Sequence, residues 1–120
     1  MSCVLLDQKD RAEACASICR GLVSLTLGVG PNPLGNPERN KSEVSFARQA
    51  AMYLTHVVFG ISLSHVGPAF GRDRSTASYA CRKIEDERSD PRVDALLERV
   101  TAATLMLCPE FEVHPVSARL

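Results

Sequence analysis

The sequence has no tryptophan, two tyrosines and four phenylalanines, so its core cannot be organised around large rings. Leucine, valine, isoleucine and alanine must fill it, a composition that suits helices packed side by side. A basic excess is also absent: Lys plus Arg and Asp plus Glu are 14 each, and the total therefore gives no sign of a polyanionic partner. The five cysteines (Cys3, Cys15, Cys19, Cys81, Cys108) are odd in number and form no Cys-x-x-Cys pair, which argues against both a disulfide framework and a zinc site. They are expected to be reduced, mostly buried, small apolar residues. No apolar run approaches the roughly 20 residues of a membrane span. Asp7, Lys9, Asp10 and Arg11 follow the short apolar start too closely for a signal peptide. A Gly-x-x-x-x-Gly-Lys phosphate loop is missing, so no ATPase activity is expected. His56, His65 and His114 have no Cys or Asp partner at a metal or triad spacing, and neither catalysis, a metal nor a cofactor is expected.

The length, 120 residues, fits one domain. Its charge is unevenly placed. From Arg39 to Lys83 seven basic residues face two acidic ones, a net of +5, and the remainder carries −5, most of it in the C-terminal third. The first helix is expected over 7–27, with Cys15, Ile18, Cys19, Leu22 and Leu25 as its apolar stripe. Gly28 to Pro37 holds three glycines and three prolines in ten residues and reads as a long loop or hinge. The polar ERNKSE that follows is more loop or an arm. A second helix is expected from Ser45 to about Phe59, burying Phe46, Ala50, Tyr53, Leu54 and Val57, with Arg48, Gln49 and His56 toward solvent or a partner.

Ser62 is the expected N-cap of a short third helix, 63–70, ended by Gly71. Asp73 is placed to cap a fourth helix, in which Ala77, Ala80, Cys81 and Ile84 form the buried stripe while Arg74, Ser75, Ser78, Tyr79, Arg82 and Lys83 stay outside. A short helix, a tight glycine turn and a second helix make a helix-turn-helix, expected over 62–88. Asp90 and Pro91 read as the cap and first residue of a fifth helix, 91–108, with Val93, Leu96, Leu97, Val100, Ala103 and Leu107 apolar. That stripe suits one core helix or a dimer seam, so the oligomeric state stays open. Residues 1–108 are thus expected to form one all-α domain of about five helices, with 109–120 a loose tail.

ARQAAMYL (47–54), SL..VG.AFGRDRST (62–76) and ACRKIE (80–85), in that order, resemble the C-terminal helix-turn-helix domain of the bacterial replication initiator DnaA. The similarity covers about 15–88, and without a nucleotide-binding domain it implies a stand-alone relative. It implies double-stranded DNA as partner and a cytoplasmic, nucleoid-associated protein. Asp73, Arg74 and Ser75 are implied as base readers, and Arg48, Gln49, Arg72, Thr76 and Lys83 as phosphate contacts. Arg39 and Lys41 flank the position of a minor-groove arm. Asp73 caps its helix whatever the function, and Arg82 and Lys83 also suit a solvated face.

Several residues depart from the family pattern. Arg74 stands where His is usual, and it can fork onto a guanine edge or hold a phosphate. His56 replaces a basic residue, Pro68 lies inside the third helix, one glycine of the usual GGRD turn is missing, and Glu38 and Glu43 dilute the arm. Losing basic contacts weakens binding and flattens its salt dependence. Two functions follow: a small DNA-binding regulator of replication initiation or transcription acting at sites related to the initiator's boxes, or a protein-interaction module. The second would mimic the DnaA domain and use the acidic EDERSDPRVD stretch (85–94) to bind a protein that handles the initiator.

Overall fold

In the computed structural model residues 7–28 and 41–107 are described. They form five helices: α1 (Gln8–Leu27), α2 (Lys41–Phe59), α3 (Leu63–Ala69), α4 (Arg74–Glu87) and α5 (Pro91–Leu107). No strand occurs among the described residues, and the class is all-α. Arg39, Cys3, Cys108, nearly all of the Gly/Pro segment and the 109–120 tail lie outside them.

Asp7 begins α1 by accepting the Asp10 amide at 2.8 Å on its carboxylate, the bond an N-cap supplies to an orphan donor. Ala12, Cys15, Ala16, Cys19 and Val23, each three or four residues from another of the set, then form its buried face. Leu25 does not belong to that stripe: it is 81% exposed. Six residues beyond Cys19 it faces away from the neighbours that Val23, four beyond, reaches.

The central element is α2, which packs against each of the other four helices. Ala50, Ala51, Met52, Tyr53, Leu54 and Thr55 are consecutive and all buried, so the helix is enclosed on every side over this stretch. Thr55 tolerates this by donating its hydroxyl to the Ala51 carbonyl at 2.7 Å. The helix begins at Lys41 and not at Ser45. No glycine or proline occurs in KSEV, and Glu43 in the first turn suits the positive end of the helix dipole, so a stretch that looks like an arm by polarity winds into helix. At the other end the Arg11 guanidinium donates to the Phe59 carbonyl at 3.3 Å, joining the start of α1 to the end of α2.

Ser62 does occupy the N-cap position of α3, but its side chain makes no capping bond; its hydroxyl instead pairs with His65 Nδ1 at 2.9 Å. Pro68 is exposed on the last turn of this seven-residue helix. The turn to α4 passes through Gly71 at φ 71°, the left-handed region open to glycine without a Cβ penalty. Asp94 N–H donates to the Asp90 carbonyl and Arg92 N–H to the Asp90 carboxylate, which starts α5. Leu97, Val100 and Thr104 of α5 are buried, and the helix lies on α1 and α2. Leu107, assigned above to the apolar stripe, is 66% exposed where the end of α5 runs past its neighbours.

Candidate nucleic-acid interface

The second helix of the helix-turn-helix, α4, is aimed by backbone contacts at its beginning. Arg72 N–H donates to the Gly67 carbonyl at 2.8 Å, and Gly67 has no room for a Cβ: one built there would meet the Asp73 carbonyl oxygen at 2.4 Å. Asp73 is then fixed as N-cap, its Oδ1 accepting the Thr76 amide at 2.8 Å and the Ser75 hydroxyl at 2.9 Å. Those bonds, first that of the Thr76 amide and then those of the Thr76 and Ser75 hydroxyls, hold the Asp73 carboxyl below the usual carboxylate range. Asp73 is therefore an ionised acceptor at neutral pH. Beneath it Ala77, Ala80 and Ile84 bury the inner face of α4, with Cys81 half-buried at its edge.

Outward, Arg72, Arg74 and Ser75 are exposed at one corner of the molecule, and Thr76 is half-buried beside them. Arg48 of α2 reaches the same corner. Burial and then the nearby charge of Arg72 depress its guanidinium below the ordinary arginine range, and neither arginine has a carboxylate partner among the described residues. Gln49, next in sequence, is half-buried with its carboxamide oxygen enclosed and unbonded. The sequence-derived base readers and three of the five phosphate candidates, Arg48, Arg72 and Thr76, thus gather around the start of α4.

Lys83 is different. It lies ten residues along α4 from Asp73, about 15 Å at 1.5 Å per residue, and its ammonium contacts Glu87 at 2.7 Å. That hydrogen bond, the main cause, raises the Lys83 pKa above the usual lysine value. To hold a phosphate it must give up this partner. Lys41 is the first residue of α2, within a helix and not on an extended arm. His56 is half-buried with Nδ1 2.7 Å from the Ile61 carbonyl, so it ties α2 to the loop before α3.

A network that the sequence does not announce holds the far end of α4. Tyr53, buried in α2, donates its hydroxyl to Glu85 at 2.5 Å and accepts from Arg88 at 3.1 Å. Arg88 also reaches Asp94 at 2.6 Å and Glu98 at 2.7 Å, linking α2, the end of α4 and α5. Burial works to lower the Arg88 pKa, but its bonds to Tyr53, Asp94 and Glu98 outweigh burial and hold it above the usual value. Burial first, then the bond to Glu85, pushes Tyr53 up to about 12. Within the acidic run 85–94 three carboxylates are thereby ion-paired, Glu87 with Lys83, Asp94 with Arg88 and Asp90 with Arg92 at 3.3 Å, and Glu85 accepts the hydroxyl of Tyr53. No group of His, Cys, Asp and Glu suited to hold a metal ion occurs among the described residues, and no helix there is long and apolar enough to cross a membrane.

Comparison with known proteins bears on the same elements. The sequence pattern of the family described as bacterial dnaA protein helix-turn-helix matches residues 20–84. The chromosomal replication initiator protein DnaA of Thermodesulfovibrio yellowstonii is 34% identical over 81 residues, 62% of this chain and 18% of that protein. Its counterpart in Gloeobacter violaceus is 33% identical over 102 residues, covering 83% of this chain and 23% of the relative. For Lactococcus lactis subsp. cremoris the figures are 47% over 55 residues, 45% and 12%. The chain thus spans less than a quarter of the length of these curated relatives.

Proposed function

Because this chain belongs to the bacterial DnaA helix-turn-helix family, we propose that it is a small regulator that binds double-stranded DNA and acts in control of replication initiation or transcription, at sites related to those the initiator reads. The observation that carries this reading is the placing of Arg48 and Arg72. Two guanidiniums from separate elements stand close enough to disfavour one another, without a carboxylate between them, beside the N-terminal end of α4. A backbone phosphate at that corner relieves the repulsion and is also attracted by the helix dipole. Asp73, Arg74 and Ser75 then face the base edges while Thr76, Gln49 and, once freed from Glu87, Lys83 flank the strand.

A docking role for the acidic stretch draws no support from its geometry, since most of its carboxylates already face a partner of this chain. The reading is tested by titrating labelled duplexes, one carrying a site enriched from a random pool and one scrambled, at moderate salt. We expect preference for the enriched duplex and its weakening by Arg48→Ala and Arg72→Ala. Equal affinity for both duplexes, unchanged in either variant, would sink the reading.

A further inference from the structure

The DNA contacts implied by the family resemblance all lie between Arg39 and Lys83, and α1 contributes none. One side chain of α1 nonetheless stands over the turn that leads into α4. The Arg20 guanidinium lies 4.9 Å from the centre of the Phe70 ring, and Phe70 comes just before Gly71 and Arg72 in that turn. A ring face attracts the cation and holds the planar guanidinium flat, but the N–H donors at its edge stay free. Arg20 is exposed and has no carboxylate partner among the described residues. Beside it a cavity of about 250 Å³ opens on α1, where Ser17 and Ser24 add hydroxyl donors.

The helices α1 and α2 run antiparallel: Arg11 near the start of α1 meets the Phe59 carbonyl at the end of α2, and Leu27 and Phe46 at their other ends line one cavity. From the Arg11–Phe59 contact, Arg20 is about 14 Å along α1 and Arg48 about 17 Å along α2, at 1.5 Å per residue. The two arginines therefore stand at nearly one height. The turn passes there as well, with Phe70 under Arg20 and the charge of Arg72 reaching Arg48. Three guanidiniums from three parts of the fold thus surround one turn, and none of them is ion-paired among the described residues. We propose that Arg20 is a phosphate contact that α1 adds to the interface, holding a backbone phosphate of the duplex other than the one at Arg48 and Arg72. This contact rests on the DNA reading above and extends it from α2 and α4 to α1. Stacking on Phe70 arranges the guanidinium beforehand, so less freedom is lost when the phosphate binds.

The test uses the full chain and a duplex enriched from a random pool. Arg20→Met keeps the contact with Phe70 and removes the charge. It is expected to lower the slope of log affinity against log salt by about 0.9, the value of one phosphate, whereas Arg20→Lys is expected to keep the wild-type slope. Methylphosphonate is then placed at one backbone position at a time, which deletes the charge of that phosphate. One position is expected to weaken the wild type several-fold and to have no effect on Arg20→Met, and it differs from the position that loses its effect in Arg48→Ala. An unchanged slope in Arg20→Met would overturn the α1 contact while leaving DNA binding standing, and weaker binding at that unchanged slope would mark Arg20 as acting only through Phe70. The same set of sensitive positions in Arg20→Met as in wild type would overturn it too. Failure of the wild type to prefer the enriched duplex would overturn the DNA reading and the contact with it.

Discussion

A Cβ placed on Gly67 would lie 2.4 Å from the carbonyl oxygen of Asp73 and 2.6 Å from its carbonyl carbon, so α3 and the cap of α4 meet through backbone alone. Gly67→Ala must therefore push α4 off α3 or strain the turn. Overpacking of this kind costs about 1–3 kcal/mol. We expect a lower midpoint in urea unfolding, and weaker duplex binding even where the variant is fully folded, because the displaced part is the one that presents Asp73 and Arg74. Wild-type stability in Gly67→Ala would show that this approach is not a constraint.

Arg88 joins three elements through a side chain only 9% exposed. Arg88→Met keeps much of the packing but leaves Tyr53, Asp94 and Glu98 without their shared donor. Charged hydrogen bonds of this sort are worth about 1.5–3 kcal/mol, and because Glu98 is open to water the lower part of that range is expected, again by urea unfolding. Glu98→Gln, by contrast, alters one exposed pair and is expected to change stability by less than about 1 kcal/mol.

Much of the helix-turn-helix was legible in the sequence because its signals are local. Gly71, the Asp73 cap and the Ala77, Ala80, Ile84 spacing lie within fourteen residues and each has one physical reading. The start of α2 was not, since ERNKSE is polar and polarity distinguishes an exposed helical turn from a loop poorly. Leu25 and Leu107 were placed in stripes by hydrophobicity, but whether a helix end is covered depends on where its neighbours stop. Arg88 looked like one more charge in an acidic run. Its bond to Tyr53, 35 residues earlier, exists only after folding. Gly67 stood within the family motif, yet nothing in the motif says that its missing side chain is what α4 leans on.

Alkaline pH should destabilise the fold in a defined window. Tyr53, buried and bonded to Glu85, loses its proton near pH 12 when folded and near 10 when unfolded; the Cys81 thiol, raised chiefly by burial and then by the charge of Glu85, does so near 11 instead of 9. In both cases the folded state keeps a proton that the unfolded chain releases, so stability is full below pH 9 and falls as pH rises toward 12. Urea midpoints measured across this range are expected to decline in wild type, with the decline between 10 and 12 much reduced in Tyr53→Phe and that between 9 and 11 reduced in Cys81→Ala. A flat profile in wild type would contradict the assignment.

The Lys83–Glu87 pair sets Lys83 between two partners. As a lysine four residues before a glutamate it has the weaker orientation of such helical pairs, so breaking it changes stability little. Glu87→Gln is expected to tighten duplex binding and steepen its salt dependence, and Lys83→Ala to lower the slope of log affinity against log salt by about 0.9, the value of one phosphate. Identical slopes in wild type, Glu87→Gln and Lys83→Ala would remove Lys83 from the interface.

The account stands most directly on enrichment of duplexes from a random pool by the wild-type chain and by the Arg48→Ala, Arg72→Ala double variant. Enrichment of a definite sequence by the wild type, lost or strongly weakened in the double variant while its helicity is unchanged, is the predicted result. No enriched sequence with the wild type, or the same sequence enriched equally well without both arginines, would contradict it.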